Sequence, residues 1–384
     1  MIRIRNILLG QTRLMSFPLD SHNAYPDCVR LDLQGNSSQS DRVDLWLSIH
    51  FNQQWLSILG GRLCFAIGGG EIKLELGERA QLLLGSELSG DLLGSAGLIV
   101  EAIAPISPHH PRWKFRSKPG EFALKGSLEG IKLATVAIES SLTTGGIGGI
   151  EGGIGARLTT TLANVQIIEA EGLWPRDISP NKHAILDRTF ARFLWQEKLV
   201  PYVSGLGRSI DRKFVVNHSM ERKSDRLQEI VKNIVKAETD NILELAEIAE
   251  LDPMKDFAGG NFLATNLNAI DLSSADLRRI NLRGATLNDT DFNEANLQEA
   301  KLSGSDLTGA FLENANLRNA NLYRSSLALV NLAAVDLRGA DLQETNLSQT
   351  TWTGTRVEGA KFSSQCELEE DVKQQLQEQG AIFL

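Results

Sequence analysis

From residue 257 to residue 362 every fifth position is apolar, without a slip, through 22 consecutive pentads. The centres run Phe257, Phe262, Leu267, Leu272 and onward to Leu347, Trp352, Val357 and Phe362. Two residues before each centre stands a mostly small or β-branched residue, such as Thr265, Ala275, Ala295, Ser305 or Val335. A period of five matches neither the 3.6-residue turn of an α-helix nor the two-residue alternation of a strand. Self-similarity at a short fixed period specifies a stacked solenoid, in which each unit buries its apolar side against its neighbours. Such a rod argues for a binding surface before it argues for an active site.

The 384 residues leave room for two or three domains. Unbroken apolar runs, such as residues 96–100, are far too short for a membrane span. Residues 1–9 lack the apolar length of a signal peptide. Three cysteines, Cys28, Cys64 and Cys366, with no CxxC spacing, suit a reducing compartment, so a cytoplasmic location is expected. Residues 1–218 carry 23 basic and 21 acidic side chains, and residues 219–384 carry 16 and 27. Neither part has the basic excess of a phosphate-binding surface, so nucleic acid is not an expected partner.

Residues 1–218 read as a β-rich domain. Residues 44–51 and 113–116 alternate by two, and residues 131–138 and 158–168 suggest further strands. Residues 63–67 and 71–76 flank Gly68-Gly69-Gly70 and suggest a hairpin with a glycine-rich turn. The glycine-rich stretch 145–155 reads as a mobile loop. It matches neither GxxxxGK[ST] nor GxGxxG, and a strand rather than a helix follows it, so a phosphate site is unsupported. Residues 180–199 read as an amphipathic helix, with Ile185, Leu186, Phe190, Phe193 and Leu194 on one stripe and Arg188, Arg192 and Lys198 off it. Residues 219–253 read as a helical connector and N-terminal cap. Thr239 or Asp240 is expected to cap its second helix, and Asp252-Pro253 to stop it. The solenoid takes residues 254–364. A capping helix and tail take residues 365–384, with Leu368, Val372 and Leu376 at four-residue steps and Gly380 as terminator.

Units such as Ala275-Asp276-Leu277-Arg278-Arg279, Ala295-Asn296-Leu297-Gln298-Glu299 and Ala315-Asn316-Leu317-Arg318-Asn319 follow an A(D/N)Lxx pattern. On these units residues 255–364 resemble the pentapeptide-repeat family. The resemblance implies a mainly β fold: a right-handed quadrilateral β-helix with four pentads per coil, preceded here by the β-rich domain. It also implies that each centre and the small residue before it point inward, that the other three positions point outward, and that helices cap the ends. At about 4.8 Å per coil, five and a half coils make a rod of roughly 26 Å. Lys301, Phe311, Arg356 and Lys361 depart from Asp/Asn before the centre. Long multi-domain arrays of this family are common in cyanobacteria, which the resemblance suggests as the source.

Four pentads per coil stack outward residues twenty apart into columns. The face centred on Leu272, Phe292, Leu312, Leu332 and Trp352 displays Asp271, Asp291, Glu294 and Glu313 with no cation, and also Phe311. The face centred on Phe262 through Phe362 is mildly basic, with Arg283, Lys301, Arg324 and Lys361 against Asp341 and Glu344, and it displays Tyr323. Phe311 beside the acidic column is the best candidate for a partner-binding patch, with Tyr323, Arg324 and Arg283 as a second set. The competing reading packs Phe311 on a neighbouring residue or on the N-terminal domain.

Elsewhere the chemistry is thin. His109-His110 has no acidic or cysteine partner at ligand spacing, and no HExxH occurs, so neither a metal nor a cofactor is expected. Trp174, Arg176 and Asp177 form the densest polar and aromatic stretch of the N-terminal domain. They read as a weaker site candidate, or as a structural corner with Trp174 buried and Arg176 paired to an acid. A non-enzymatic interaction or scaffold protein is the expected function, with another protein as partner and a homodimer through the terminal helices as a further expectation. One alternative is a DNA mimic acting on a topoisomerase such as gyrase. It needs a continuous acidic surface, whereas one face here reaches −4 and another +2. A second alternative is a ligand-binding or enzymatic N-terminal domain.

Overall fold

The computed structural model describes residues 16–18, 21–23, 25, 27–39, 41–76, 80–83, 85, 98–104, 107–117, 123–138, 154–200, 203–206 and 219–384. Most of the glycine-rich stretch 145–155 lies outside the described residues.

The strands of the first half are β1 (Ser16–Pro18), β2 (Ser21–Asn23), β3 (Val29–Gln39), β4 (Arg42–Phe51), β5 (Gln54–Ile58), β6 (Gly61–Ile67), β7 (Gly69–Glu75), β8 (Ala80–Leu82), β9 (Leu98–Ala102), β10 (Arg112–Ser117), β11 (Gly126–Ile138), β12 (Gly155–Thr159), β13 (Val165–Glu171) and β14 (Ser204–Leu206). They form sheets of order β1-β3-β4-β11-β8, β2-β14-β12-β7-β10-β9 and β13-β6-β5. Alternation decides which side faces in. In β4, Val43, Leu45, Leu47, Ile49 and Phe51 are buried while their neighbours are not. Trp113 and Phe115 of β10 do the same from the second sheet, and the Phe115 ring meets Phe51 at 5.4 Å. Tyr25 packs edge-on against Phe65 of β6, joining the third sheet to this core.

Two sequence expectations fail here. The segments around Gly68-Gly69-Gly70 are not a hairpin: β6 pairs with β5 and β13, whereas β7 pairs with β10 and β12. The glycines serve close approach rather than a turn. A Cβ on Gly70 would lie 2.3 Å from the Thr159 carbonyl oxygen and 2.7 Å from the Phe115 ring. The stretch 158–168 is not one strand either. It breaks at a short 3-10 turn, Leu162–Asn164, and passes from one sheet to another.

Helix α1 (Pro180–Leu194) starts on Ser179, whose hydroxyl accepts from the Lys182 amide at 3.2 Å, and runs into a π-turn, Trp195–Leu199. Ile185, Leu186, Phe190 and Leu194 are buried as the spacing predicts, and Phe193 is half-buried. Arg188 is not on a solvent face: it is 2% exposed and donates to the Asp256 carbonyl at 2.6 Å. Then come α2 (Ser219–Lys236), α3 (Ile242–Ile248) and α4 (Pro253–Asp256). The cap of α3 is Asn241, whose Oδ1 accepts from Leu243 and Glu244, rather than Thr239 or Asp240. The Asp240 carboxylate instead accepts from the Ser179 hydroxyl. Asp252 caps α4, so the Asp-Pro pair starts a new turn after α3.

From Asn261 onward the backbone bridges each residue to the one twenty further on, in parallel, for example Asn261 to Asn281 and Asp336 to Arg356. Each coil is thus four pentads, and centres such as Leu272, Leu297 and Leu317 are fully buried. Within a pentad each amide has a distinct fate. The Leu272 N–H donates to the Asp291 carbonyl of the next coil, and the Asp291 N–H donates back to Ile270. The Ser274 N–H donates to Asn293 of the next coil, and the Ala275 N–H closes a turn onto the Leu272 carbonyl. One amide remains, that of Ser273, and the Asp271 carboxylate takes it at 3.0 Å. The same bond joins Asp291 to Asn293, Asp306 to Thr308, Asn321 to Tyr323 and Asn346 to Ser348. A buried or half-buried amide needs a partner, and a short carboxylate or amide side chain two residues earlier supplies one. That is the physical reason for Asp/Asn before the centre.

Each turn places its third residue in the left-handed region, as a type II turn requires. Of the 21 such positions from 259 to 359, only seven are glycine; the rest, among them Ala264, Arg279 and Leu329, hold φ of 55–64°. The array carries this cost because the neighbouring coils fix the turn by hydrogen bonds. At the far end, β15 (Asp341–Leu342), β16 (Lys361–Phe362) and β17 (Ile382–Phe383) pair in parallel. The last residues therefore extend the solenoid by a rung, with Phe383 stacked on Phe362 at 5.1 Å. Helix α5 (Glu370–Glu378) precedes that rung, buries Leu376, and ends at Gly380 with φ 89°.

The strand-rich half sits on one corner of the rod, formed by Gly259, Arg279 and Glu299. Gln166 donates to the Gly259 carbonyl at 3.0 Å, and a Cβ on Gly259 would strike the Ala163 carbonyl. Arg279 donates to Asn164, Gly68 and Ser117, and Arg116 pairs with Glu299 at 3.4 Å. Asn181 of α1 accepts from the Asn266 amide and donates to its carbonyl.

Candidate partner-binding face

Ten residues along a twenty-residue coil lead to the diagonally opposite corner, marked by Gly309, Leu329 and Gln349. There Leu329 is 58% exposed, and Phe311, two residues beyond Gly309, is 51% exposed. About half of the Phe311 side chain is thus open to solvent and half is covered. It lies in a bridged column of Asp271, Asp291, Phe311, Asn331 and Thr351, one per coil. Ala334 is exposed and Ala333 half-exposed beside it.

Below Phe311 the face is acidic. Asp271 accepts from the Ser273 amide and hydroxyl, bonds that hold its carboxyl below the usual carboxylate range. Glu294 accepts from the Ser274 hydroxyl at 3.1 Å, and Glu313 is exposed. None of Asp271, Asp291, Glu294 and Glu313 forms an ion pair among the described residues, although other solenoid acids do.

Phe311 occupies a position where the fold uses Asp or Asn to hold an amide. The amide concerned is that of Glu313, and Asn293 of the preceding coil takes it instead, at 2.8 Å. The backbone is therefore satisfied without help from position 311, and an exposed aromatic ring stands where a polar side chain would fold at least as well. The sequence marks Phe311 as a departure; the compensating Asn293 is visible only once coils are stacked.

The second set behaves differently. The Tyr323 hydroxyl donates to Glu344 at 2.7 Å, Arg324 pairs with the same carboxylate at 2.6 Å, and the Arg324 guanidinium lies 4.9 Å from the Tyr323 ring centroid. Arg283 bonds to Asn281 at 3.2 Å. These residues lie on the opposite side of the rod from Phe311, and the structure does not bring the two sets together.

In the strand-rich half, Trp174 is half-buried, donates to His183 Nδ1 at 3.2 Å and packs on Phe190 at 5.3 Å. Arg176 and Asp177 are exposed, and the expected Arg176 ion pair does not form among the described residues. Glu171 pairs with Arg62, which lies over the Trp55 ring at 4.5 Å. The stretch leads directly into α1. An open depression of about 490 Å³ is lined by Asp27, Arg30, His50, Phe51, Asn52, Gly126 and Ser127. Among the described residues no cluster of His, Cys, Asp or Glu could hold a metal, and no helix is long and apolar enough to cross a membrane.

The model of pentapeptide repeats matches residues 265–304, 295–332 and 331–364, in eight copies. No curated protein matches the chain. Among solved structures, the chain is similar to a pentapeptide repeat protein, Rfr23, from the cyanobacterium Cyanothece 51142, with 29% identity over 26% of this chain and 89% of that one, at a TM-score of 0.19. A pentapeptide repeat protein from the Arabidopsis thaliana thylakoid lumen has 27% identity over 30% of this chain and 78% of its own, at 0.17. QnrB1, a plasmid-mediated fluoroquinolone resistance protein, has 17% identity over 34% of this chain and 86% of its own, at 0.19.

Proposed function

We propose, for a chain whose residues 265–364 are pentapeptide repeats, a non-enzymatic role in binding another protein through the solenoid face that carries Phe311. The right-handed winding, the cytoplasmic setting and the division at residues 1–218, 219–253, 254–364 and 365–384 belong to the same reading. One observation carries it: Phe311 is half exposed at a position where the fold uses an Asx side chain, and Asn293 makes good the missing bond. A position released from its folding duty and given an aromatic side chain is available for contact. The corner opposite to it is occupied by the strand-rich half, which leaves this face open. The acidic column ends at Phe311 and the two pentads above are uncharged, which argues against imitation of a DNA duplex.

Affinity capture with the full chain tests the reading. Wild type and Leu263→Asp, which alters an exposed apolar residue on another face, are expected to retain the same partners. Phe311→Asp is expected to lose them. Retention of every partner by Phe311→Asp sinks the reading.

A further inference from the structure

Resting on that reading, we infer that the partner presents a segment with apolar side chains at one end and lysines or arginines at the other, laid lengthwise along the rod. The face is segregated along its axis. In the two coils below Phe311, nearer the strand-rich half, it holds Asp271, Asp291 and Glu294, Glu313 stands level with Phe311 in the same pentad, and the face carries no cation. From Phe311 onward its pentads at residues 330–334 and 350–354 hold no charge at all. Successive members of the bridged column are about 4.8 Å apart, so Asp271 stands about 10 Å below Phe311. A short peptide segment spans that distance.

The acids differ from their counterparts on the other faces. Asp276 and Asp336 are held by Arg278 and Arg338 at 2.6 and 2.5 Å, and Glu344 by Arg324. The four acids beside Phe311 have no such cation among the described residues, so a basic segment would neutralise charge that the fold leaves unbalanced. Phe311 and Leu329 would give the apolar anchor and the acids the direction, with the basic end towards the strand-rich half. A polyanion is repelled from this face, and a second copy of the chain offers its Arg324 already paired to Glu344.

Three labelled peptides decide it, titrated against the full chain by fluorescence anisotropy. The first groups lysines and arginines at one end and phenylalanine and leucine at the other. The second has the same composition with the two kinds alternating, and the third replaces every basic residue by glutamate. The grouped basic peptide is expected to bind, and about tenfold more weakly on raising salt from about 50 to about 500 mM. It is expected to lose about tenfold in affinity with Phe311→Asp, and a similar amount with the Asp291→Asn, Glu294→Gln, Glu313→Gln triple variant. Equal binding of the glutamate peptide, no binding of any peptide, or indifference to the triple variant overturns the inference. Dimers in sedimentation that disappear with Phe311→Asp would also overturn it, in favour of a second copy. If captured partners are lost with Phe311→Asp but kept by the triple variant, the inference fails while the broader reading stands. If both variants keep them, both fail.

Discussion

Arg279 donates to Asn164 Oδ1 at 2.6 Å, and that bond crosses from the solenoid to the strand-rich half. The same guanidinium reaches the Gly68 carbonyl at 3.1 Å and the Ser117 hydroxyl at 2.9 Å. Burial lowers its pKa, and nearby Glu299 opposes that shift. Arg279→Ala strands a carbonyl and a side-chain amide oxygen in a closed junction, so a loss of about 2–4 kcal/mol is expected. Arg279→Lys is expected to recover little, because a point charge cannot serve three acceptors arranged for a fork. Calorimetry is the check: one transition should split into two as the halves uncouple. A single unshifted transition would show that the junction is held elsewhere.

Asn293 and Phe311 form a testable pair. Removing the Asn293 side chain leaves the exposed Glu313 amide to water, at an expected cost of about 0.5–1 kcal/mol. Phe311→Asn restores the Asx bond used elsewhere in the array, so it should recover most of that loss in the double variant. Alone, Phe311→Asn should leave stability unchanged or slightly raised while removing partner binding. Urea denaturation of the four proteins gives the cycle; additive losses would show that position 311 cannot reach the amide.

The sequence was legible where one residue type had one physical task. The pentad period gave the buried centres, the four-residue steps gave Leu376, and the alternation in 44–51 gave the inward face of β4. It failed where partners are distant in the chain. Gly70 looked like a turn because its reason for being glycine, the Thr159 carbonyl, lies 89 residues away. Arg188 looked solvent-facing because the Asp256 carbonyl that receives it belongs to the other half. The tail at 381–384 carries no pentad motif, so its pairing with β16 was hidden. At the candidate site Phe311 and the acids were readable by counting in twenties, whereas Leu329 at the corner and Asn293 beneath were not.

Ala264 sits at φ 56° in an exposed turn, whereas Gly284 sits at φ 62° with open space around it. Left-handed backbone costs an L-residue about 1–2 kcal/mol, against which glycine loses about 0.5–1 kcal/mol of entropy advantage. Ala264→Gly is therefore expected to stabilise by less than about 1 kcal/mol. Gly284→Val, with no steric neighbour to blame, should cost about 1–2 kcal/mol through φ alone. Denaturation midpoints at matched slope measure both. Destabilisation by Ala264→Gly would mean that the coil neighbours, rather than the residue, set the turn energy.

Asp187 is half-buried on α1, and its carboxyl faces Asn261 at the start of the solenoid. Burial pushes it up to about 7 from 3.8, against the pull of Arg188 and the bond to Asn261. Between those values the folded chain holds a proton that the unfolded chain has released, so this group's contribution to stability falls as pH rises from about 4 to about 7 and is level above. Asp271, Asp276 and Asp336, with lowered values, act in the opposite sense at the acidic end. The difference between wild type and Asp187→Asn isolates the one group. The variant should gain on the order of 1–3 kcal/mol at pH 8 and converge on wild type towards pH 4. Urea midpoints across this range give the difference curve, and a flat one would place the Asp187 carboxyl in water rather than in the junction.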